Sequence, residues 1–440
     1  MNSFDLINII GRGGFGKVWK VMSKKTNSYY AMKEMSKLKI LYKKSGKSVL
    51  LERNLLSQMC HPFIVNMYYS FQDNESLYLV LDLMNGGDLR YHLNKFGRIS
   101  EIECKFIICC IILALEYIHS NKIIHKDLKP ENLIFDQEGY IHLTDFGISK
   151  KLNDNLDFIK DNDTSGTPGY IAPEILCNQN YNFSSDFFSL GIIAYECMIG
   201  NRPYKGNNKK EIKEMILSKQ IQIKKFDVPI GWSNEAVDFI NKLIQRKPTQ
   251  RLGFNNILEI KNHKWIKNYD WCELYLHRLK PHFVPREGDN YSNNGNLRKD
   301  IKNSNDFYNS VISNNNYDIF KDYKYFSCDD IPDEENKEEF INPHKLFEEI
   351  EEKRIKDNLE KNKKKEDINN NNINNMDSIA FSLLDKYASS SIINTTTTSS
   401  STFRDFYYER KRRANSLKNL YKNKGLGNIK LSEHKTIIGN

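Results

Sequence analysis

His125-Lys126-Asp127-Leu128-Lys129-Pro130-Glu131-Asn132, with Asp145-Phe146-Gly147 beginning thirteen residues after Asn132, decides how this chain is read. The run sets two carboxylates, an amide and a lysine in an order that phosphoryl transfer can use. Asp127 is placed to orient an attacking hydroxyl and accept its proton. Asn132 and Asp145 are placed to hold magnesium against nucleotide phosphates, and Lys129 to sit beside the migrating group.

Upstream, Gly11-Arg12-Gly13-Gly14-Phe15-Gly16 joins two predicted strands. Glycines there let backbone amides approach phosphate without a Cβ in the way. Alone, the spacing fits an ordinary turn equally well. A dinucleotide fold needs a helix after the last glycine, whereas Lys17-Val18-Trp19-Lys20-Val21 reads as a strand. Lys33 ends a further strand, and Glu52 lies on a leucine-faced helix after it; in isolation such a pair is as often a solvated surface pair.

The patterns place these residues in two units. Phe4 to Ile10, Lys17 to Met22, Tyr29 to Glu34 and Leu77 to Leu83 read as strands. Lys47 to Gln58 has helical spacing, and beyond residue 90 helical patterns dominate: Cys104 to Ser120, Ser184 to Ile199, Lys209 to Ser218 and Asn234 to Gln245. A strand-rich unit of about 4–84 followed by a helix-rich unit of about 88–266 is an α+β, two-lobed arrangement, joined by the polar hinge Asp82 to Asp88.

At 440 residues the chain has room for such a domain and tails, and 39% hydrophobic content supports a core. Residues 267–330 are aromatic but polar. From 331 to 440 the composition is charged, then Asn-rich, then Ser/Thr-rich, then basic, and too apolar-poor to offset chain entropy, so disorder is expected, with a solvated helix over Pro343 to Lys365. Met1 to Asp5 lacks a leader pattern, Asn2 does not match an acylation signal, and the longest apolar run, Phe106 to Leu115, is roughly half a membrane span. A soluble protein is expected. Eight cysteines without paired metal spacing, Cys109 and Cys110 among them as core residues, fit a reduced cytoplasmic or nuclear setting. A formal charge of +9 favours acidic partners only weakly and argues against general nucleic-acid binding.

The motifs together resemble the eukaryotic protein kinases. The resemblance covers about 260 residues, in order, and implies a two-lobed fold with ATP and Mg²⁺ as cofactors. It implies catalytic roles for Asp127, Lys129, Lys33 and Glu52, with Lys33 gripping the α- and β-phosphates and Glu52 pairing with it. Nucleotide contacts are implied for Ile10, Gly11, Arg12, Gly13, Gly14, Phe15, Gly16, Lys17, Val18, Ala31, Asp82, Met84, Asp88 and Ile134, and metal contacts for Asn132 and Asp145. Phe146, His125, Leu56 and Met67 match a regulatory stack anchored by Asp186. Gly166 to Glu174 resembles the segment that receives the substrate, with Glu174 paired to Arg251, which argues against a small-molecule or lipid kinase.

Glu52-Arg53-Asn54-Leu55-Leu56, Leu79 to Leu89 and Gly166-Thr167-Pro168 are similar to the AGC group, the cyclic-nucleotide-dependent and S6-type kinases. Phe283-Val284-Pro285 resembles the start of that group's C-terminal tail. Phe320, Tyr323 and Tyr325 match its hydrophobic motif, which docks on the small lobe. The resemblance implies protein substrates with Ser/Thr acceptors and arginine before the acceptor. Asp88 and Glu131 line the position three before it, and Glu196 the position two before it. Pro168 and Ile171 face an apolar residue just after it. No transmembrane segment is expected, and the oligomeric state is taken as monomer. Arg410 to Ser416 reads equally as a self-phosphorylation or pseudosubstrate site, a nuclear-import or acidic-membrane patch, or a solvated tail.

Departures from the pattern cluster in the regulatory parts. Lys126 stands where most members carry arginine, and Asp163 where a phosphorylatable threonine is usual, with Thr164 one residue later. Lys324 replaces the tail's phosphate acceptor, and Gly169 replaces a frequent glutamate. Lysine is a point charge without guanidinium's fork, and aspartate carries one charge where phosphate carries nearly two. The pair Lys126 and Asp163 therefore implies partial activity without phosphorylation. A scaffold that binds nucleotide without turnover is the alternative; it would have no need of the full set Lys33, Glu52, Asp127, Asn132 and Asp145.

Overall fold

The computed structural model describes residues 3–24, 26–153, 156–286, 319, 320 and 323. Strands β1 (Phe4–Arg12), β2 (Gly16–Ser23) and β3 (Tyr29–Ser36) run as an antiparallel meander. Helices α1 (Lys37–Tyr42) and α2 (Gly46–Gln58) follow, then strands β4 (Met67–Gln72) and β5 (Ser76–Leu81). All five strands form one sheet in the order β1-β2-β3-β5-β4. One face carries a cluster of Val21, Tyr30, Met32, Tyr69, Phe71, Tyr78 and Val80; Ala31, Leu77 and Leu79 join the main core with α2. At Gly16 a Cβ would lie 1.9 Å from the Glu34 carbonyl oxygen, so the β2–β3 approach requires glycine there.

The strand expected over Leu77 to Leu83 ends at Leu81, and β4 was not anticipated. Met67, Tyr69, Ser70 and Phe71 are buried and Tyr68 and Gln72 half-buried, and the adjacent tyrosines blur the two-residue alternation.

The large lobe is built around α4 (Glu101–Ser120), after the short helix α3 (Leu89–Phe96). A capping box starts α4: Glu103 N–H donates to Ser100 Oγ, and Ser100 N–H donates to Glu103 Oε2. From Cys104 to Leu115 nearly every α4 side chain is buried, Cys109 and Cys110 among them, as expected of a helix that is apolar all round. Four short strands follow: β6 (Ile123–Ile124), β7 (Leu133–Phe135), β8 (Ile141–Leu143) and β9 (Lys150–Lys151). They pair β6 with β9 and β7 with β8. Then come α5 (Pro173–Leu176), α6 (Ser184–Ile199), α7 (Lys209–Ser218), α8 (Asn234–Leu243), α9 (Leu258–Lys261) and α10 (Trp271–Tyr275). The α+β two-lobed expectation holds, and α8 stops two residues short of the helix expected to Gln245.

Packing continues past residue 266. Trp271 and Leu274 are buried, and the Tyr140 hydroxyl donates to the Leu279 carbonyl at 2.5 Å. The Phe283 ring lies 4.9 Å from His92 and 5.2 Å from Phe135. Pro343 to Lys365, Arg410 to Ser416, Lys324 and Tyr325 lie outside the described residues.

Candidate active site

The loop over residues 125–132 hangs between β6 and β7, held from below by Asp186 near the start of α6. Both Asp186 oxygens accept backbone N–H bonds of 2.9 Å, Oδ1 from Lys126 and Oδ2 from His125, and Oδ2 also faces His119 Nε2 at 2.8 Å. The site is fully buried, and burial alone would raise the Asp186 pKa. The facing histidine and the N–H donors outweigh it and hold the carboxylate ionised. Lys126 sits at φ 68° and Asp145 at φ 66°, left-handed positions that only a well-braced loop sustains.

Asp127 is joined to two further groups in a closed triangle. Lys129 Nζ donates to Asp127 Oδ2 at 2.5 Å and to Thr167 Oγ1 at 2.9 Å, and the Thr167 hydroxyl donates to Asp127 Oδ1 at 2.7 Å. Asp127 thus already accepts a hydroxyl hydrogen, the contact a general base makes with its substrate. Asn132 Nδ2 donates to the Asp127 carbonyl at 2.9 Å, which fixes the amide and leaves its oxygen as an acceptor.

Across the cleft, Lys33 on β3 meets Glu52 on α2 at 2.7 and 3.0 Å. Burial alone would depress the Lys33 pKa, but Glu52, Asp145 and the hydrogen bond overcome it, and the lysine is held charged. Asp145 therefore shares Lys33's field, and its Oδ1 accepts a long N–H bond of 3.4 Å from Gly147. The His125 and Phe146 rings meet edge to face at 5.0 Å, and Leu56, Met67 and Phe146 are buried in one cluster. The glycine turn closes with Gly13 N–H donating to the Gly16 carbonyl at 3.0 Å. Lys43 Nζ, after α1, donates to the Gly14 carbonyl at 2.6 Å and lies 5.2 Å above the Phe15 ring. Arg12 is exposed at the end of β1, and Lys17 Nζ lies 5.7 Å from the Trp19 ring. Ile10, Val18 and Met84 are half-buried against the main core with Ala31, and half-buried Ile134 pairs with Asp88 across an isolated bridge. The Asp82 side chain is turned to Asn66 and Tyr68, and its N–H donates to the Asn66 carbonyl at 3.0 Å.

The receiving segment is locked to the large lobe by Glu174 and Arg251, both buried and paired through two bonds of 2.7 and 2.9 Å. Ile171 is buried and Pro168 half-exposed. Gly169 sits at φ +97°, so the glycine that costs this segment a carboxylate also serves a backbone position that disfavours any side chain.

Lys126 and Asp163 do meet. Lys126 Nζ, with no exposed side-chain surface, lies 3.2 Å from Asp163 Oδ2 and 3.1 Å from its carbonyl oxygen. Lys150 on β9 reaches the same Oδ2 at 3.0 Å and Asp161 at 3.1 Å. The Tyr181 hydroxyl donates to Asp161, and its ring lies beneath Lys126. Partial burial alone would raise the Asp163 pKa. Hydrogen bonds from Ser165 and Lys150 and the charge of Lys126 pull it far below the usual carboxylate range. Thr164 is exposed. Lys150, Asp161 and Tyr181 were not singled out in the sequence.

Phe320 and Tyr323 are fully buried, and Gln72 Nε2 on β4 donates to both of their carbonyls at 2.9 Å. A Cβ at Gly46, the first residue of α2, would meet Ile319 at 2.8 Å. The aromatic pair thus seats beside the helix that carries Glu52.

Residues 4–266 match the family described as protein kinase domain. Among similar curated proteins, Protein kinase 2 of Dictyostelium discoideum is 38% identical over 285 residues, 65% of this chain and 58% of that protein. The serine/threonine-protein kinase Sgk1 of Danio rerio is 40% identical over 290 residues, 64% of each chain. The cAMP-dependent protein kinase catalytic subunit of Dictyostelium discoideum is 36% identical over 288 residues, 65% of this chain and 43% of that protein. The chain spans about three fifths of the length of the first relatives it matches.

Proposed function

Because the chain belongs to the protein kinase family, with relatives among serine/threonine kinases of the AGC group, we propose that it moves the γ-phosphoryl group of ATP onto serine or threonine hydroxyls of basic protein sites. The observation that carries this reading is the Lys33–Glu52 pair, closed while Asp127 holds its triangle with Lys129 and Thr167. Both halves of the machinery are assembled at once.

The residues present fit magnesium. The Asp145 carboxylate and the Asn132 amide oxygen are hard donors, and this ion is ordinarily held by one or two carboxylates together with phosphates. When bound, the ion neutralises charge on the transferring phosphates. Lys33 supplies a fixed cation for the nucleotide phosphates, held in place by Glu52. Asp127 takes up the acceptor hydroxyl where Thr167 Oγ1 now donates, orients it and receives its proton as the hydroxyl oxygen bonds the γ-phosphorus and ADP leaves, and Lys129 stabilises the negative charge on the transferring phosphoryl group.

Basic sites are favoured by Asp88, half-buried at the start of α3, and by Glu131, whose side chain is 42% exposed. Clustered carboxylates suit guanidinium through paired, charge-assisted bonds. Regulation follows from the two ion-paired and docked features. The Lys126–Asp163–Lys150 cluster stands in for a phosphate clamp, and the seated Phe320 and Tyr323 brace α2 in the position that closes Lys33 with Glu52.

The test is transfer of labelled phosphate from ATP-magnesium to a serine peptide with arginine three residues before the acceptor. Transfer that survives Asp127→Ala would overturn the assignment, and a preference for acidic or proline-directed peptides would overturn the specificity.

A further inference from the structure

Arg90, the second residue of α3, reaches into the acidic groove beside the catalytic loop. Its Nε donates to Glu131 Oε1 at 2.9 Å, Nη1 to Glu196 Oε1 at 2.7 Å and Nη2 to Glu196 Oε2 at 3.1 Å. Nη2 also donates to the Tyr170 hydroxyl, which in turn donates to Glu196 Oε2 at 2.5 Å. Glu196 is 6% exposed and both its oxygens are taken, one by a guanidinium N–H and the other by a second N–H and a phenol. Burial would weaken the guanidinium charge, but Glu196, Tyr170 and Glu131 more than compensate and hold it.

Glu196 is the carboxylate that, on the kinase reading, would meet an arginine two residues before the acceptor. We propose that Arg90 fills this subsite from within and is a specificity-determining residue: the protein gains nothing from arginine at that position. The inference rests on the kinase function proposed above. A substrate arginine would have to displace a side chain of the same chemistry already tethered in place, which competes at the high effective concentration of an intramolecular partner. It would also bring a second cation against Arg90. Glu131 differs: Arg90 takes one of its oxygens and its side chain stays open to water, so with Asp88 it can still receive an arginine three residues before the acceptor.

Three serine peptides test this with the full chain. One has arginine at the third position before the acceptor and alanine at the second, another has arginine at both, and the third has arginine at neither. Wild-type kcat/KM should be equal or lower for the doubly basic peptide than for the first, and both should exceed the third. Arg90→Ala should raise the ratio of doubly to singly basic peptide about tenfold or more, chiefly through KM. Arg90→Ala uncovers a buried carboxylate, so the double variant Arg90→Ala/Glu196→Gln is measured beside it. Its ratio should stay near the wild-type value, because the carboxylate that would catch the arginine is gone. A wild-type ratio of about ten or more in favour of the doubly basic peptide overturns the proposal without any variant. An unchanged ratio in folded Arg90→Ala overturns it as well. No transfer to any peptide would instead sink the kinase function, and this inference with it.

Discussion

In the cleft, Asp145 and the Asn132 amide oxygen are hard donors suited to groups from outside the chain, and Lys33 is held charged beside Glu52 and Asp145. On the face beside it, the residues suited to phosphate or to a substrate arginine already meet partners from their own chain: Lys126 and Lys150 meet Asp163, and Glu196 meets Arg90. Both regions are dense in charge, and Lys126 lies six residues before Asn132 and Lys150 five after Asp145. On the kinase reading proposed above, the cleft adds donors for a nucleotide to its internal pairs, whereas the neighbouring face pairs its charges within the chain. A site of the first kind waits for a ligand; one of the second kind has its state set by the fold.

Perturbing each region separately should expose this difference. The largest effect belongs to the cleft: Asp127→Asn keeps the shape of the triangle but removes the base, and kcat should fall by about 10²–10⁴ with thermal stability little changed. A loss of less than tenfold would remove Asp127 from the chemistry. Next, Asp163→Ala takes the carboxylate from buried Lys126 and leaves it only the backbone carbonyl, and unphosphorylated protein should lose about tenfold in activity and about 1–2 kcal/mol of stability, a figure reduced for Asp163's partial exposure. Phosphatase treatment of the wild type should change little. If phosphatase abolished activity while Asp163→Ala left it untouched, the face would depend on phosphate after all. Replacing Phe320 and Tyr323 together with alanine should lower turnover severalfold by loosening α2, and equal turnover would separate the tail from the cleft.

The smallest expected effect is a pH profile with no slope. The folded pKa of Asp163 lies below its unfolded value, so its stabilisation is present in full above the ordinary carboxylate range and is lost only as pH falls through the folded value. The second phosphate ionisation, near pH 6, would weaken a phosphate clamp well before that. The difference in melting temperature between wild type and Asp163→Asn should therefore stay level from about pH 5 to 8. A contribution that faded near pH 6 would point to bound phosphate.

The layout of the cleft was legible in the sequence because its residues come in short runs whose order is itself distinctive. Asp127, Lys129 and Asn132 lie on one loop, and Lys33 and Glu52 on neighbouring elements. The role of Thr167 was hidden by 40 residues of separation from Asp127. The commitments of Arg90 were less visible still, since its partners stand 41 and 106 residues away and arginine on a short polar helix looks like a solvated residue. Strand β4 escaped because the adjacent Tyr68 and Tyr69 blur its alternation, and α3 because its eight residues follow a hinge closely. The meeting of Lys126 with Asp163 was readable as a pair, but Lys150, Asp161 and Tyr181 join it only through the fold.

Packing beyond the matched family limits where this protein can be cut. The matched family ends at residue 266, yet at Gly139 a Cβ would lie 2.2 Å from the Phe283 carbonyl oxygen, so the later segment is pressed directly onto the turn between β7 and β8. Ending the chain at Ile266 would strip the aromatic cover from His92, Phe96 and Phe135 and remove the acceptor of the Tyr140 hydroxyl. The shortest fragment worth purifying therefore runs at least to Pro285, which is itself buried.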